Sequence, residues 1–173
     1  LCRAAAPAML DAGAGSVIVV SSIFGLVSVD PDGGGMAGYA AAKGAEIALS
    51  VHWALEYAPD RIRFNSLAPG FVDTDTDTIR ALKSKPELFA IYNDAHLLGV
   101  GEPNDLAYAA LWLSSDEAKW VTGEHIPING GLTSYVPMRR LESEEMKALK
   151  AHAVALRQYR PTDIVTFSPL SAE

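Results

Sequence analysis

Apolar and polar positions change their period along the chain, and these changes predict strands that alternate with helices. Three short apolar runs closed by Gly or Pro predict buried strands: residues 16–22 (SVIVVSS), 61–68 (RIRFNSLA) and 125–129 (HIPIN). Helices are predicted over residues 1–12, 39–57 and 103–115. This order of elements is typical of an α/β fold in which right-handed crossovers connect parallel strands.

Three further stretches complete the pattern. The predicted helix at 39–57 has one apolar face, formed by Ile47, Val51, Ala54 and Leu55. Residues 71–100 are mixed and polar, which predicts a mobile segment. The composition changes after Gly131, so we divide the chain into a domain at 1–131 and an extension at 132–173. The extension is predicted to contain an amphipathic helix over 142–158.

Composition and charge exclude several classes of function. The 173 residues carry a net charge of −7 and are 49% hydrophobic, as in ordinary globular proteins. No run of Lys or Arg suggests binding to nucleic acid or to an anionic membrane. No apolar stretch reaches the roughly 20 residues that a membrane-spanning helix needs. The single cysteine, Cys2, excludes an internal disulfide and fits a cytoplasmic protein.

A glycine-rich stretch suggests a phosphate-binding loop but does not fit one. Gly33, Gly35 and Gly38 have the spacing G-x-G-x-x-G. A dinucleotide loop follows its strand directly, yet the preceding strand ends near Ser22, about ten residues earlier. A Walker loop needs Gly-Lys-Ser/Thr, and no such triplet is present here. We therefore predict a surface loop over residues 33–38.

The residues that follow this loop have the potential for proton transfer. Tyr39 and Lys43 are four positions apart on a predicted helix, so they share a face. A nearby ammonium lowers the pKa of a tyrosine and makes it a proton donor and acceptor, although an ordinary surface pair has the same spacing. Ser21 and Ser22 end the first strand, at the edge where open parallel sheets bind ligands. Strand-end serines that cap their own backbone are the alternative interpretation.

Other residues with metal-binding or stacking potential are assigned structural roles. The run at 73–77 (DTDTD) begins like a calcium loop but lacks the later Gly and Glu, so no metal site is predicted. Its acidic residues are expected near the N-terminus of a helix. The histidines have no metal-ligand spacing, and His96 is predicted to be exposed in a loop. The tryptophans are predicted to lie in the core or at subunit contacts: Trp53, Trp112 and Trp120.

Four segments together give the sequence a family resemblance. They are SVIVVSS, YAAAK, RIRFNSLAPGFVDT and VTGEHIPINGG, and they lie in this order within residues 1–131. In this order they resemble the short-chain dehydrogenase/reductase family. The resemblance implies a Rossmann-like, doubly wound parallel sheet, of which this chain supplies the carboxyl-terminal portion. It also implies NAD(P)-dependent interconversion of a secondary alcohol and a ketone, with NAD or NADP as cofactor.

The resemblance assigns roles to individual residues. Tyr39 would be the general acid/base, Lys43 would lower its pKa and bind the nicotinamide ribose, and Ser22 would orient the substrate oxygen; Ser21 is the rival for this last role. The cofactor would also contact four residues after the second strand: Pro69, Gly70, Val72 and Thr74. Pro69 and Gly70 would let the backbone approach the nicotinamide. Val72 through its main chain and Thr74 through its hydroxyl would bind the carboxamide.

The sequence departs from the family pattern in two respects. Residues 30–35 are expected to be an insertion between Ser22 and Tyr39. The family's glycine-rich loop, its NAD-or-NADP selecting residue and the asparagine of its tetrad have no counterpart in these 173 residues. Family members form homodimers or homotetramers, which we expect here. The alternatives are a non-catalytic fragment or pseudoenzyme that acts through subunit association, and a regulatory domain that binds the cofactor without turnover.

Overall fold

Three parallel strands form the centre of the fold. The computed structural model describes residues 2–28 and 36–134, without the Arg3 side chain, within the first of two units of the chain, Leu1–Tyr135. The strands are β1 (Gly15–Val20), β2 (Ile62–Pro69) and β3 (His125–Ile128), in the order β1-β2-β3. Val20 pairs with Leu67, and Ser66 pairs with His125. The predicted parallel α/β arrangement is therefore confirmed.

Within the described residues, five α-helices accompany the sheet: α1 (Cys2–Ala12), α2 (Ala37–Tyr57), α3 (Asp77–Lys83), α4 (Pro86–Ala95) and α5 (Pro103–Ser114). Their ends follow local chemistry. Gly13 ends α1 with a φ of 69°, a left-handed conformation that glycine adopts without strain. At the start of α5, the Glu102 and Asp105 side chains each accept a hydrogen bond from the other residue's backbone N–H, as in a capping box.

The strand β2 lies between two hydrophobic clusters. Its side chains alternate between the two faces of the sheet, so Ile62 and Phe64 pack with Ala54 of α2. On the other face, Leu67 packs with Leu113 of α5. Each large apolar side chain buried in this way stabilises the fold by about 1.5–3 kcal/mol. Helices thus cover both faces, as the resemblance to a doubly wound sheet implies.

The structure corrects the predicted apolar face of α2. Ile47 and Ala54 are buried as expected, but Val51 is 45% exposed and Leu55 is 79% exposed. The third buried position on this helix is Ser50. Ser50 can be buried because its hydroxyl donates to the Glu46 carbonyl oxygen at 2.9 Å, so no polar atom is left unpaired.

Other boundaries also differ from the sequence prediction. Much of residues 71–100 is helical in α3 and α4, and Pro86 occupies the first position of α4, where its missing N–H costs no hydrogen bond. Gly38 lies inside α2 rather than in a loop. The insertion at 30–35 and the helix predicted at 142–158 lie outside the described residues.

The three tryptophans differ in their surroundings. Trp53 contacts Phe64, with ring centres 5.7 Å apart, so its predicted place in the core is confirmed. Trp112 is 41% exposed and Trp120 is 94% exposed, so neither belongs to the core. Within the described part of the chain, no helix has the length and apolar character needed to cross a bilayer.

Candidate active site

Ser21 and Ser22 leave β1 at the carboxyl edge of the sheet, and both are buried. The Ser21 hydroxyl donates to the Lys43 carbonyl oxygen at 2.8 Å. The Ser22 Oγ instead accepts from the backbone N–H of Phe24 at 3.2 Å and caps a short 3-10 turn. A hydroxyl that only accepts keeps its own hydrogen available for a further acceptor. Ser22 is therefore the serine equipped to donate a hydrogen bond to a ligand.

Tyr39 and Lys43 lie one turn apart near the start of α2, as their spacing predicts. The Lys43 Nζ is 5.8 Å from the centre of the Tyr39 ring. It donates to the Val20 carbonyl oxygen at 3.0 Å and forms an ion pair with Glu46 at 2.9 Å. The Lys43 side chain is only 20% exposed, while Tyr39 is 43% exposed. A half-exposed phenol beside a fixed ammonium can exchange a proton with a bound ligand.

The turn after β1 connects the serines with Tyr39. The Phe24 N–H bonds to Ser22, and the Phe24 ring meets the Tyr39 ring edge to face at 6.2 Å. Gly25 allows this close packing, because a Cβ there would lie 2.8 Å from the Lys43 carbonyl carbon. The structure thus brings Ser22, Tyr39 and Lys43 to the same edge of the sheet.

The loop after β2 places a second group of predicted residues at this edge. Pro69 ends β2, and the Gly70 N–H donates to the Ile128 carbonyl oxygen at 3.0 Å. A Cβ on Gly70 would lie 2.8 Å from the His96 Nε2 and 2.9 Å from the Asn129 Cα. Only glycine therefore fits at this position without displacing its neighbours.

The main chain of Val72 is free for a ligand. Val72 forms a parallel bridge with Gly101, but the bonds run through its neighbours: Gly101 N–H donates to Phe71, and Asp73 N–H donates to Gly101. The N–H and C=O of Val72 itself point away from this bridge, and they form no hydrogen bond within the described residues. An amide ligand has the complementary donor and acceptor.

Thr74 is exposed and lies between charged residues. The Lys83 ammonium donates a hydrogen bond to the Asp73 carboxylate at 2.6 Å. This bond holds the pKa of Asp73 below its ordinary value of 3.8. Burial acts in the opposite direction and is the weaker cause. Asp77 stands in the first turn of α3, so the acidic residues lie at a helix N-terminus as predicted. In the described part of the chain, no group of acidic, Cys or His side chains could hold a metal ion.

A cavity of about 400 Å³ lies beside the loop after β2. Its walls include Phe71, Val72 and Asn129. Ser22, Tyr39 and Lys43 do not line it. The predicted proton-transfer residues therefore lie outside this cavity, which is adjacent to the loop after β2 rather than to Tyr39.

Known proteins share both the sequence pattern and the fold of this chain. The sequence model of a family described as enoyl-(acyl carrier protein) reductase matches residues 1–133, and solved structures of short-chain dehydrogenases/reductases share the fold. The chain belongs to the short-chain dehydrogenase/reductase family. The family resemblance predicted from the four sequence segments is confirmed.

Two relatives and one solved structure show how far the similarity extends. Galactitol 2-dehydrogenase (L-tagatose-forming) of Cereibacter sphaeroides is 38% identical over 132 residues, which are 76% of this chain and 50% of that protein. Inactive 2-(S)-hydroxypropyl-CoM dehydrogenase 2 of Xanthobacter autotrophicus is 38% identical over 136 residues, 76% of this chain and 57% of that protein. The crystal structure of a gluconate 5-dehydrogenase from Burkholderia cenocepacia J2315, in complex with NADP and tartrate, is 31% identical with a TM-score of 0.69, and the similarity covers 78% of this chain and 51% of that chain. The chain thus spans about half the length of the short-chain dehydrogenases/reductases that it matches.

Sequence reasoning missed three residues at the site. The ion pair between Glu46 and Lys43 is compatible with their i, i+3 spacing on a helix, but this spacing alone does not indicate a functional pair. The close contact of Gly25 with α2 has no local signal. His96, predicted to be exposed, is only 4% exposed, because its imidazole bonds to backbone groups from two different segments.

Proposed function

We propose that the natural gene product carrying this chain is an NAD(P)-dependent oxidoreductase that interconverts a secondary alcohol and a ketone. The observation that carries the proposal is the Lys43 ammonium 5.8 Å from the Tyr39 ring, on the same sheet edge as the buried Ser22. Family membership supports it, as do the relatives named for sugar-alcohol and sugar-acid dehydrogenation. The substrate class is a small molecule with a hydroxyl or carbonyl group.

Three side chains perform the proton chemistry. During oxidation, Tyr39 takes the hydroxyl proton of the alcohol, and during reduction it returns a proton to the carbonyl oxygen. Ser22 donates a hydrogen bond to the same oxygen and orients it. Lys43 places an ammonium 5.8 Å from the centre of the Tyr39 ring. Glu46 and the Val20 carbonyl hold the Lys43 ammonium in place.

The loop after β2 fits the nicotinamide end of NAD or NADP. We assign Gly70 to the backbone approach, and the free N–H and C=O of Val72 complement a carboxamide. We assign the Thr74 hydroxyl to the same carboxamide, Pro69 to the backbone approach and the Lys43 ammonium to the ribose. When bound, the nicotinamide accepts or donates the hydride.

Cofactor binding to the 173-residue chain is the first test. The chain is titrated with NADH and with NADPH, and energy transfer from tryptophan to the reduced nicotinamide is recorded while the molecular size is measured in parallel. Saturable transfer supports the cofactor site and identifies the preferred cofactor. A homodimer or homotetramer is the expected size. A folded gene product that binds neither cofactor would contradict the proposal.

Turnover provides the second test. In the natural gene product, Tyr39→Phe is expected to lower the turnover number by roughly 10²–10⁴-fold, the usual contribution of a general acid/base. Tyr108→Phe is the matched control, because Tyr108 is 69% exposed on α5. Near-normal turnover of the Tyr39→Phe enzyme would contradict the role of Tyr39 as general acid/base.

The alternative is a non-catalytic protein that acts through subunit association. The 38% identity to inactive 2-(S)-hydroxypropyl-CoM dehydrogenase 2 supports this non-catalytic alternative. Within the described residues, β1 pairs only with β2, and an open strand edge is a template for another strand. Oligomer formation without cofactor binding by the gene product would favour this candidate over the enzyme.

A further inference from the structure

His96 joins two segments through both nitrogens of its ring. It follows α4, and the imidazole is 4% exposed. Its Nδ1 lies 2.7 Å from the Tyr92 carbonyl oxygen, and its Nε2 lies 3.0 Å from the backbone nitrogen of Phe71. A carbonyl oxygen only accepts and an amide N–H only donates. The hydrogen must therefore be on Nδ1, and the Nε2 lone pair accepts from Phe71.

The surroundings of His96 leave this arrangement little freedom. The rings of Phe71 and Tyr92, whose backbone groups bond to the imidazole, contact each other with centres 4.8 Å apart and an interplanar angle of 32°. A Cβ on Gly70 would lie 2.8 Å from the His96 Nε2, and one on Gly130 would lie 3.4 Å from the His96 Cβ. His96 thus contacts the loops that follow β2 and β3 as well as the end of α4.

The contact with Phe71 bears directly on Val72. Three backbone groups on either side of Val72 are fixed: the Phe71 N–H by His96, the Phe71 carbonyl by Gly101, and the Asp73 N–H by Gly101. The peptide groups of Val72 lie between these anchors. Their direction depends on the anchors, since the N–H and C=O of Val72 make no bond of their own within residues 36–134.

We propose that His96 is a positioning residue that aims the main chain of Val72 at the cofactor carboxamide. This inference rests on the proposed function and adds to it a residue outside the Ser22, Tyr39 and Lys43 set. Of the three histidines that the structure describes, His52 and His125 are exposed, so His96 is the one placed for this role.

Two amide substitutions separate the bonds of the ring. In His96→Gln, the side-chain oxygen can occupy the position of Nε2 and accept from Phe71. In His96→Asn, the side-chain nitrogen can occupy the position of Nδ1 and donate to Tyr92, but the Phe71 N–H loses its acceptor. Both variants lose one of the two bonds, so a merely structural role predicts similar effects. His52→Asn on the exposed face of α2 is the control.

The first measurement is amide hydrogen exchange in the 173-residue chain, together with the ¹⁵N spectrum of the imidazole. We expect the Nδ1–H tautomer in the wild type. At the Phe71 amide, His96→Asn should speed exchange roughly tenfold to a hundredfold, the effect of an unsatisfied buried donor, while His96→Gln and His52→Asn stay within about threefold. Equal exchange in the Asn and Gln variants, or an Nε2–H tautomer, would overturn the proposal.

The second measurement is steady-state kinetics of the natural gene product. His96→Asn should raise the cofactor KM about tenfold, with kcat changed less than about twofold, whereas His96→Gln stays near the wild type; a tenfold change is about 1.4 kcal/mol. Equal cofactor KM values for the two variants in an active enzyme would overturn the role of His96 but not the proposed function. A wild-type protein that binds neither NADH nor NADPH would instead overturn the proposed function.

Discussion

The Ser21 hydroxyl donates a 2.8 Å hydrogen bond to the carbonyl oxygen of Lys43, 22 residues further along the chain. This bond attaches the end of β1 to the second turn of α2. The neighbouring Ser22 makes no such contact and caps the 3-10 turn instead. Two adjacent serines of the same strand end therefore differ in their contacts: the Ser21 hydroxyl donates to α2, whereas the Ser22 hydroxyl only accepts, from the Phe24 N–H, among the described residues.

Alanine substitutions should separate the two serines. Ser22→Ala is expected to lower kcat/KM roughly 100-fold or more, the usual effect of losing one donor to a reacting oxygen. Ser21→Ala removes a buried hydrogen bond and should cost about 1 kcal/mol of unfolding free energy, with kcat/KM lowered less than tenfold. Steady-state kinetics and urea unfolding of both variants provide the check. A larger kinetic effect for Ser21→Ala would reverse the assignment.

Gly25→Ala should push α2 away from the sheet edge. The new Cβ would meet the Lys43 and Gly44 backbone at 2.8–2.9 Å, and backbone atoms of a helix cannot turn aside as a flexible side chain can. We expect a loss of about 1–3 kcal/mol in unfolding free energy, as for overpacked cores.

Gly38→Ala is the matched control for this change. Gly38 lies in the same helix, and a Cβ there meets no atom within 4 Å. This substitution should be neutral or stabilise the protein by up to about 1 kcal/mol, because alanine is the better helix former. Thermal unfolding of both variants is the measurement, and equal melting temperatures would contradict the packing argument.

Two adjacent buried polar residues of β2 should respond in opposite ways. The Asn65 side chain donates to the Val121 carbonyl oxygen and accepts from the Glu124 N–H. Asn65→Leu leaves both backbone groups unpaired and should cost about 1–3 kcal/mol for each.

The hydroxyl of Ser66 has no hydrogen-bond partner among the described residues, although Ser66 is 0% exposed. Ser66→Ala should therefore leave the unfolding free energy of this chain unchanged or raise it, because an unpaired buried hydroxyl is removed. Urea unfolding of the two variants side by side tests the contrast. A strongly destabilised Ser66→Ala variant would show that this hydroxyl has a partner after all.

The pH dependence of the Asp73–Lys83 pair has a defined sign. The pKa of Asp73 in the folded state lies below 3.8. The folded state therefore favours the ionised carboxylate over the protonated acid more than the unfolded state does. The pair's stabilisation is complete above about pH 4 and is lost as the pH falls through the folded-state pKa. Lys83→Met should raise the pKa of Asp73 toward 3.8 and lower the melting temperature more at pH 7 than at pH 2.

Carboxyl NMR titration of Asp73 and melting curves at both pH values give the check. Lys85→Met is the control, because Lys85 is equally exposed and makes no ion pair within the described residues. A melting temperature that falls by the same amount at pH 7 and pH 2 would show that Lys83 acts through packing rather than charge.

The sequence predicted the strands and long helices well because their signals are local. The strand at 61–68 became β2 at Ile62–Pro69 with a shift of one residue. Its start is delayed because Arg61 adopts a positive φ of 58°. The spacing of Tyr39 and Lys43 also fixed their shared helix face, which is a property of any α-helix.

The remaining features depend on contacts between distant segments, which periodicity cannot report. Val51 has the spacing of a buried residue but is 45% exposed, because the sheet meets α2 on the side of Ile47 and Ser50. His96 is polar and follows a helix end, yet it is buried, because both of its ring nitrogens form hydrogen bonds to backbone groups. The mixed and polar sequence at 71–100, with few strong caps, does not indicate the helices α3 and α4 or the burial of Ile79 and Leu82.

The contacts that hold Tyr39 and Lys43 and the contacts within the α3–α4 pair lie in separate stretches of the chain. Ser21 and Gly25 fix the helix that carries Tyr39 and Lys43, whereas α3 and α4 pack against each other beyond the sheet edge. The exposed surface of α3 and α4, two helices of 7 and 10 residues, can therefore vary in sequence without disturbing the contacts that hold Tyr39 and Lys43.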